Sequence, residues 1–146
     1  MDVTIPIGDR SGRGGAALVG LALLLMAVWG CNSDSREVPE EYQDIAVPGS
    51  LLRSPEAVKA GAKLFYVHCS SCHGEDADGQ GTIRRQLSSN PVDFTDPAWR
   101  AQVTPKWVYY VIHEGRKHTA MAGLKKRLDD EAYWNLTAFV LSVAEK

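Results

Sequence analysis

Apolar positions along this 146-residue chain form one unbroken run and three spaced sets. The run is Ala16 to Gly30, 15 residues, preceded by a polar, Gly-rich stretch carrying Arg10 and Arg13. A membrane-spanning helix needs about 20 apolar residues and a secretory core about 7–15. Length therefore predicts a cleaved signal peptide over 1–30. Residues 32–53 hold no period of 3.6 or 2. Pro39, Pro48 and Gly49 interrupt them, and five acids outweigh two arginines. They read as a flexible acidic linker of 22 residues after Cys31, with a coil-like reach of roughly 25 Å. Tyr42 to Leu52 is the part that could also lie against the domain.

The folded unit is expected over 54–146. Ser54-Pro55-Glu56 is a helix start: a hydroxyl cap, proline in the first turn, and an acid at the positive end of the dipole. A helix from 55 to about 67 places Val58, Ala62, Phe65 and Tyr66 on one side. A Gly-rich loop runs from Gly74 to Gly81. Residues 82–103, with Pro91 and Pro97, predict turns and one short helix. Thr104-Pro105 starts another helix, with Val108, Val111 and Ile112 inward and Gly115 as its stop. A last helix runs from near Asp129 to about Ala144, with the stripe Ala132, Tyr133, Leu136, Phe139, Val140 and Val143. No segment alternates as a strand would, so the fold class is all-α, one domain, without internal repeat.

Composition narrows the function. The chain is 45% hydrophobic with a formal net charge of −2. That excludes a wholly disordered chain, and the absence of a basic excess argues against nucleic acid as a partner. Three cysteines are too few for a disulfide scaffold, and the number is odd. Val28-Trp29-Gly30-Cys31 resembles the cleavage box of bacterial lipoproteins. Lipidation of Cys31 would account for the odd thiol and tether the domain on the periplasmic side of a membrane. The alternative is an ordinary signal peptide with an incidental cysteine.

The other two cysteines stand in Cys69-Ser70-Ser71-Cys72-His73. In an exported protein C-x-x-C-H reads as attachment of a c-type haem. Two thiols one helical turn apart reach two porphyrin vinyl groups, and the adjacent histidine supplies an imidazole to the iron. A thioredoxin-like pair would want a preceding strand, and a zinc site would want two further ligands. Met1 and Met26 fall in the signal, so Met121 is the sole thioether of the mature chain and the candidate sixth ligand. It sits in the loop 115–121, between the last two helices. Its rivals are His118, His113 and His68, or a core role for the methionine.

With these residues the chain resembles the class I, mono-haem cytochromes c over 54–146. The resemblance implies three to four helices around one covalently attached haem c, with the N- and C-terminal helices crossing. Gly61-x-x-x-Phe65 looks like the family's small-x-x-x-aromatic pair, and Leu136-x-x-Phe139 like its counterpart on the last helix. Met121 matches the distal-ligand loop. A backbone carbonyl near Thr82 or Pro91 would accept the proximal histidine's Nδ1–H. Trp99, Trp107, Tyr109, Tyr110, Arg84 and Arg85 are candidates for the haem propionates, or ordinary core and surface residues. Asp76-x-Asp78-x-Gln80 echoes half a calcium loop but has Leu87 where a bidentate acid is required. The sequon Asn135-Leu136-Thr137 falls inside the last helix. Arg116, Lys117, Lys125, Lys126 and Arg127 flank Met121 as a basic surface.

The implied function is electron transfer rather than catalysis: one electron at a time between respiratory redox partners, such as a quinol-oxidising complex, a terminal oxidase or a dehydrogenase. A fixed subunit of such a complex is the alternative to a mobile carrier. A haem peroxidase or a gas sensor would need Met121 off the iron.

Overall fold

The structure, a computed structural model, describes residues 36–144 together with Met1. The apolar run of the expected signal peptide and Cys31 lie outside the described residues. Among those described there are six α-helices: α1 (Glu40–Gln43), α2 (Pro55–His68), α3 (Ser70–His73), α4 (Pro97–Arg100), α5 (Pro105–Glu114) and α6 (Asp130–Val143). Single 3₁₀ turns lie at Leu51–Arg53 and Arg84–Gln86. Apart from an isolated bridge between Gly115 and Ala122, no β-structure occurs among the described residues. None of their helices is long and apolar enough to cross a membrane.

Local chemistry starts the three long helices where the sequence predicts. The Ser54 hydroxyl accepts the Ala57 N–H at 3.3 Å ahead of Pro55. Thr104 does the same for Trp107 at 3.2 Å ahead of Pro105. The Asp129 carboxylate takes the Ala132 N–H at 2.8 Å, with Asp130 and Glu131 in the first turn. Such caps satisfy amides that have no partner inside the helix. The short α4 repeats the device with Asp96 and Pro97.

The crossing of α2 and α6 sets the core. A Cβ on Gly61 would lie 1.9 Å from the Asn135 carbonyl oxygen and 2.8 Å from the Phe139 Cβ. Only glycine lets these backbones touch. One turn on, the Phe65 and Phe139 rings meet at 5.0 Å, as the resemblance implies. The contact also decides which face of α2 turns inward. Ala57, Gly61 and Phe65, at i, i+4 and i+8, are buried. The face expected from the apolar pattern is rotated: Val58 and Ala62 are half-buried and Tyr66 is 61% exposed. The last helix is buried nearly all round, not along a stripe alone. Trp134, Thr137, Ala138 and Leu141 join the expected residues inside, because α2, α5 and the Leu51–Arg53 turn cover α6 from different sides. Asn135 is buried with them, so the sequon is out of reach.

Over residues 36–53 the chain lies on the domain rather than running as coil, as the alternative for Tyr42 to Leu52 allowed, and the compact unit extends back to Arg36. Tyr42, on the one-turn α1, is 6% exposed. Its ring lies 4.9 Å from that of Tyr110 and 5.8 Å from that of His113. The Lys106 ammonium donates to the Gln43 carbonyl, and the Arg36 guanidinium sits 5.6 Å over the Trp107 ring. Leu51 and Leu52 lie against the core. Each short turn contributes only one or two inward residues, too few to show as a period.

The Gly61 crossing yields a prediction with a definite sign. Ala normally favours a helix interior over Gly by about 0.5–1 kcal/mol. Gly61→Ala should nevertheless destabilise the haem-loaded protein by about 2–3 kcal/mol in denaturant unfolding, because overpacking against backbone outweighs propensity. A neutral or stabilising effect would refute the close crossing.

Candidate functional site

α2 ends at the motif. The Cys69 N–H still donates to the Phe65 carbonyl at 2.8 Å, and the Cys72 and His73 amides close α3 onto the Cys69 carbonyl at 3.1 and 2.9 Å. The two thiols are thus one helical turn apart, and they are not joined to each other. Burial pushes the Cys69 thiol up to about 12, with a smaller contribution from Cys72. The Gly-rich loop then folds back on the carbonyls α3 leaves open. Gly79 N–H donates to His73, Gly81 to Cys72 and Ile83 to Ser71, at 2.8–3.1 Å. Asp78 accepts the Gln80 amide at 2.9 Å, so this aspartate closes a turn within the loop.

His73 is buried, and its Nδ1 lies 3.1 Å from the Val92 carbonyl oxygen. A carbonyl only accepts, so Nδ1 carries the proton and Nε2 keeps a free lone pair. Burial lowers the pKa of His73, and the Val92 bond opposes it. Of the two regions the sequence offered for this bond, near Thr82 or near Pro91, the structure uses the second, and the acceptor is the Val92 carbonyl next to Pro91. The Phe94 N–H donates to Ala77 at 2.9 Å, and the Pro91 carbonyl faces the Cα of Gly79. That pairing lays the chain beside the loop with the next carbonyl, Val92, aimed at the imidazole. The Phe94 ring stacks on His73 at 4.6 Å with 20° between planes, and Trp99 backs it at 4.9 Å.

Cys69, Cys72, His73 and Met121 line one cavity of about 430 Å³, walled by apolar residues of α5 and α6 such as Val108, Ile112, Leu136 and Val140. That size is typical of a cofactor pocket, roughly 300–1,000 Å³. Met121 reaches the cavity on a loop that leaves α5 at Gly115 and returns at Gly123. Gly115 has φ +83°, and a Cβ there would lie 2.6 Å from both the Met121 oxygen and the Gly123 nitrogen. The loop closes through Arg116 N–H to the Met121 carbonyl at 3.0 Å. The Thr119 hydroxyl accepts the Met121 N–H at 3.1 Å, and Ser89 accepts that of Ala120 at 3.3 Å.

The rival histidines fall elsewhere. His118 is exposed, with φ +62°, and does not line the cavity. The His113 ring stacks on Tyr109 with 8° between planes, and its Nδ1 is bonded to Tyr42 and Glu114. His68 is exposed at the rim. Of the propionate candidates, Trp99 and Trp107 line the cavity, whereas Tyr109, Tyr110, Arg84 and Arg85 do not. Arg84 donates instead to Gln80 at 2.9 Å. The cations at the cavity are Arg116 and Arg127, which the sequence marked only as part of a basic surface. The stacking ring of Phe94 was missed, since such a contact leaves no motif, and the acceptor was located only to the neighbourhood of Pro91.

The donor set fits a haem. Two thiols at one-turn spacing, an imidazole with its Nε2 free, an apolar wall and two guanidinium groups match a porphyrin bearing two carboxylates. Among the described residues no group of three or more His, Cys, Asp or Glu is placed to hold a bare metal ion.

The family model described as cytochrome C oxidase, cbb3-type, subunit III matches residues 56–140. The chain belongs to this family of c-type cytochromes. It is an electron-transfer protein of the mono-haem class I kind, with covalently bound haem c and its iron as cofactor. Two solved structures are similar to it. A chain of the reducing HAO-like protein complex Kustc0457/Kustc0458 of Kuenenia stuttgartiensis is 28% identical, with a TM-score of 0.56. The alignment covers 62% of this cytochrome and 44% of that chain, so this chain matches less than half of that protein's length. The c-type cytochrome KustC0563 is 28% identical, with a TM-score of 0.49, over 57% of this chain and 95% of its own.

The base of the Met121 loop carries a pH-dependent contact. The Lys125 ammonium, then the Tyr42 hydroxyl and His113, hold the Glu114 carboxyl down to about 2 from its usual 4.5, against a smaller opposing effect of burial. A depressed carboxyl stabilises the fold above its unfolded pKa and loses that stability as pH falls through the folded value. Glu114→Gln should therefore cost on the order of 1–2 kcal/mol at pH 7. The gap between variant and wild type should narrow from about pH 4.5 downward, followed by thermal melts across pH. A gap independent of pH would exclude the ionised contact.

Proposed function

We propose that this cytochrome is a lipid-anchored carrier on the periplasmic face of a bacterial membrane, passing single electrons between respiratory partners. In this reading Cys69 and Cys72 would hold the haem through thioethers, and His73 and Met121 would ligate its iron. The observation that carries it is the meeting of all four side chains in one apolar cavity, with His73 Nδ1 already committed to Val92. Haem bound there supplies one-electron exchange, and Met/His ligation favours a higher potential than two nitrogens while leaving no open site for oxygen or peroxide. The chain's own residues do the rest. Val92 and Phe94 fix the plane of the imidazole, the α5 and α6 walls exclude water, and Arg116 and Arg127 offset the negative charge of the propionates.

The anchor is read from Cys31 behind its apolar run, and redox protein partners follow from the cofactor. A second reading, a fixed subunit of a quinol-oxidising, oxidase or dehydrogenase complex, is favoured by two findings. The matching family model is named for an oxidase subunit, and a similar chain belongs to a multi-protein complex. Co-purification of the full chain with a membrane complex after mild detergent extraction would select that reading.

Two experiments test the proposal. Ferric wild type should show the weak far-red sulfur-to-iron band. Met121→Ala should abolish it, lower the reduction potential, and open the iron to cyanide or, when reduced, carbon monoxide. His118→Ala should leave the spectrum unchanged, and Met121→Ala with His118→Ala controls for capture of the vacant position. The reverse pattern would make the haem bis-histidine and withdraw the high-potential role. For the anchor, Cys31→Ser should release a haem-loaded protein into the soluble periplasmic fraction. Retention in membranes through a high-salt wash would remove the lipoprotein claim.

A further inference from the structure

Glu114 is the last residue of α5, and Lys125 follows directly on the return of the Met121 loop. Their side chains meet at 2.5 Å. The same carboxylate oxygen accepts the Tyr42 hydroxyl at 2.5 Å and lies 3.0 Å from His113 Nδ1. That nitrogen is also 2.7 Å from the Tyr42 oxygen, so a proton on His113 Nδ1 satisfies the whole group. One carboxylate thus gathers three pieces of chain: the end of α5, the return of the loop and the N-terminal arm. The backbone follows the same line, with Leu124 and Lys125 amides donating to Ile112 and His113 at 2.9 Å. Between these two ends the loop is held only lightly, by the Ser89 hydroxyl and its own internal bonds. Tyr42 itself is held by its ring: it is buried against Tyr109, Tyr110 and His113.

We propose that Tyr42 is a positioning residue for Met121: through Glu114 and Lys125 the N-terminal arm clasps the base of the loop and keeps the thioether seated in the cavity. The inference rests on Met121 being the sixth ligand. Tyr42 touches neither the cavity nor the iron; it acts by restricting the loop's two ends. Arm docking and thioether ligation then favour each other, since each is stronger when the other is in place. The arm is also the segment that leads back toward Cys31, so a pull on the arm would be felt at the ligand loop.

The test uses the haem-loaded full chain in the ferric state, titrated with imidazole, which competes with the thioether for the iron. Tyr42→Phe keeps the buried ring and removes the hydroxyl. It should bind imidazole about tenfold more tightly and lose the far-red band at a lower temperature, while covalent haem content and helix content stay as in wild type. Lys125→Gln, at a side chain 53% exposed and safe for folding, should shift both readouts the same way. Tyr110→Phe, which alters the ring packed on Tyr42 but no bond of the clasp, should shift neither. A wild-type band with imidazole affinity and band stability unchanged in both Tyr42→Phe and Lys125→Gln overturns the clasp alone. A wild type without the far-red band overturns Met121 ligation and the clasp with it.

Discussion

The architecture depends on one contact in which two helix backbones touch. Gly61 lies against the Asn135 carbonyl with no room for a methyl group. α2 runs directly into the C-x-x-C-H turn, and α6 supplies Leu136 and Val140 to the cavity wall. The separation of these helices therefore sets how far the two cysteines stand from the apolar wall they face. A wider crossing would enlarge the cavity and admit water, weakening the low-dielectric surroundings that an electron-transfer site requires. The same contact turns Tyr66 out to solvent and Phe65 in, where it meets Phe139 and lies near His73.

Around this frame the site is built from groups that each do one thing. α3 fixes the spacing of the thiols. The Val92 carbonyl holds the proton on Nδ1 of His73, and the stacked Phe94 limits rotation of the ring. The Gly-rich loop serves the backbone: its amides satisfy the α3 carbonyls, and it holds the 91–94 segment in reach of the imidazole. The Met121 loop is anchored at its base rather than along its length. Such anchoring is what the proposed role of Met121 as a weak thioether donor would require.

The N-terminal arm changes the picture of a free tether. Tyr42, Leu51 and Leu52 bury apolar surface on the domain, and Lys106 and Glu114 bond the arm to α5. Chain that is fixed on the domain cannot also act as coil, so the reach left to a tether is set by the residues before Arg36. With the proposed anchor at Cys31, a short reach would favour stable neighbours over free exchange among distant partners.

What the sequence determined alone was whatever is encoded between near neighbours in the chain. Ser54, Thr104 and Asp129 cap amides three residues on, so the starts of the long helices were legible to within a residue. The C-x-x-C-H spacing is itself a one-turn distance, so the chemistry of the thiols and His73 was legible too. Counting methionines pointed to Met121, and the small-x-x-x-aromatic pair at Gly61 and Phe65 indicated the crossing. Tertiary structure decided what depends on distant segments. The Val92 acceptor lies 19 residues from His73, and the Tyr42 hydroxyl 71 residues from His113. No local pattern encodes such a meeting, because a carbonyl looks alike at every residue and a lone tyrosine in a polar segment has no period. The placement of Arg116 and Arg127 rather than Arg84 and Arg85 at the cavity, and the inward face of α2, were settled in the same way. Both depend on the direction in which one element is laid against another, and close packing in three dimensions fixes that direction.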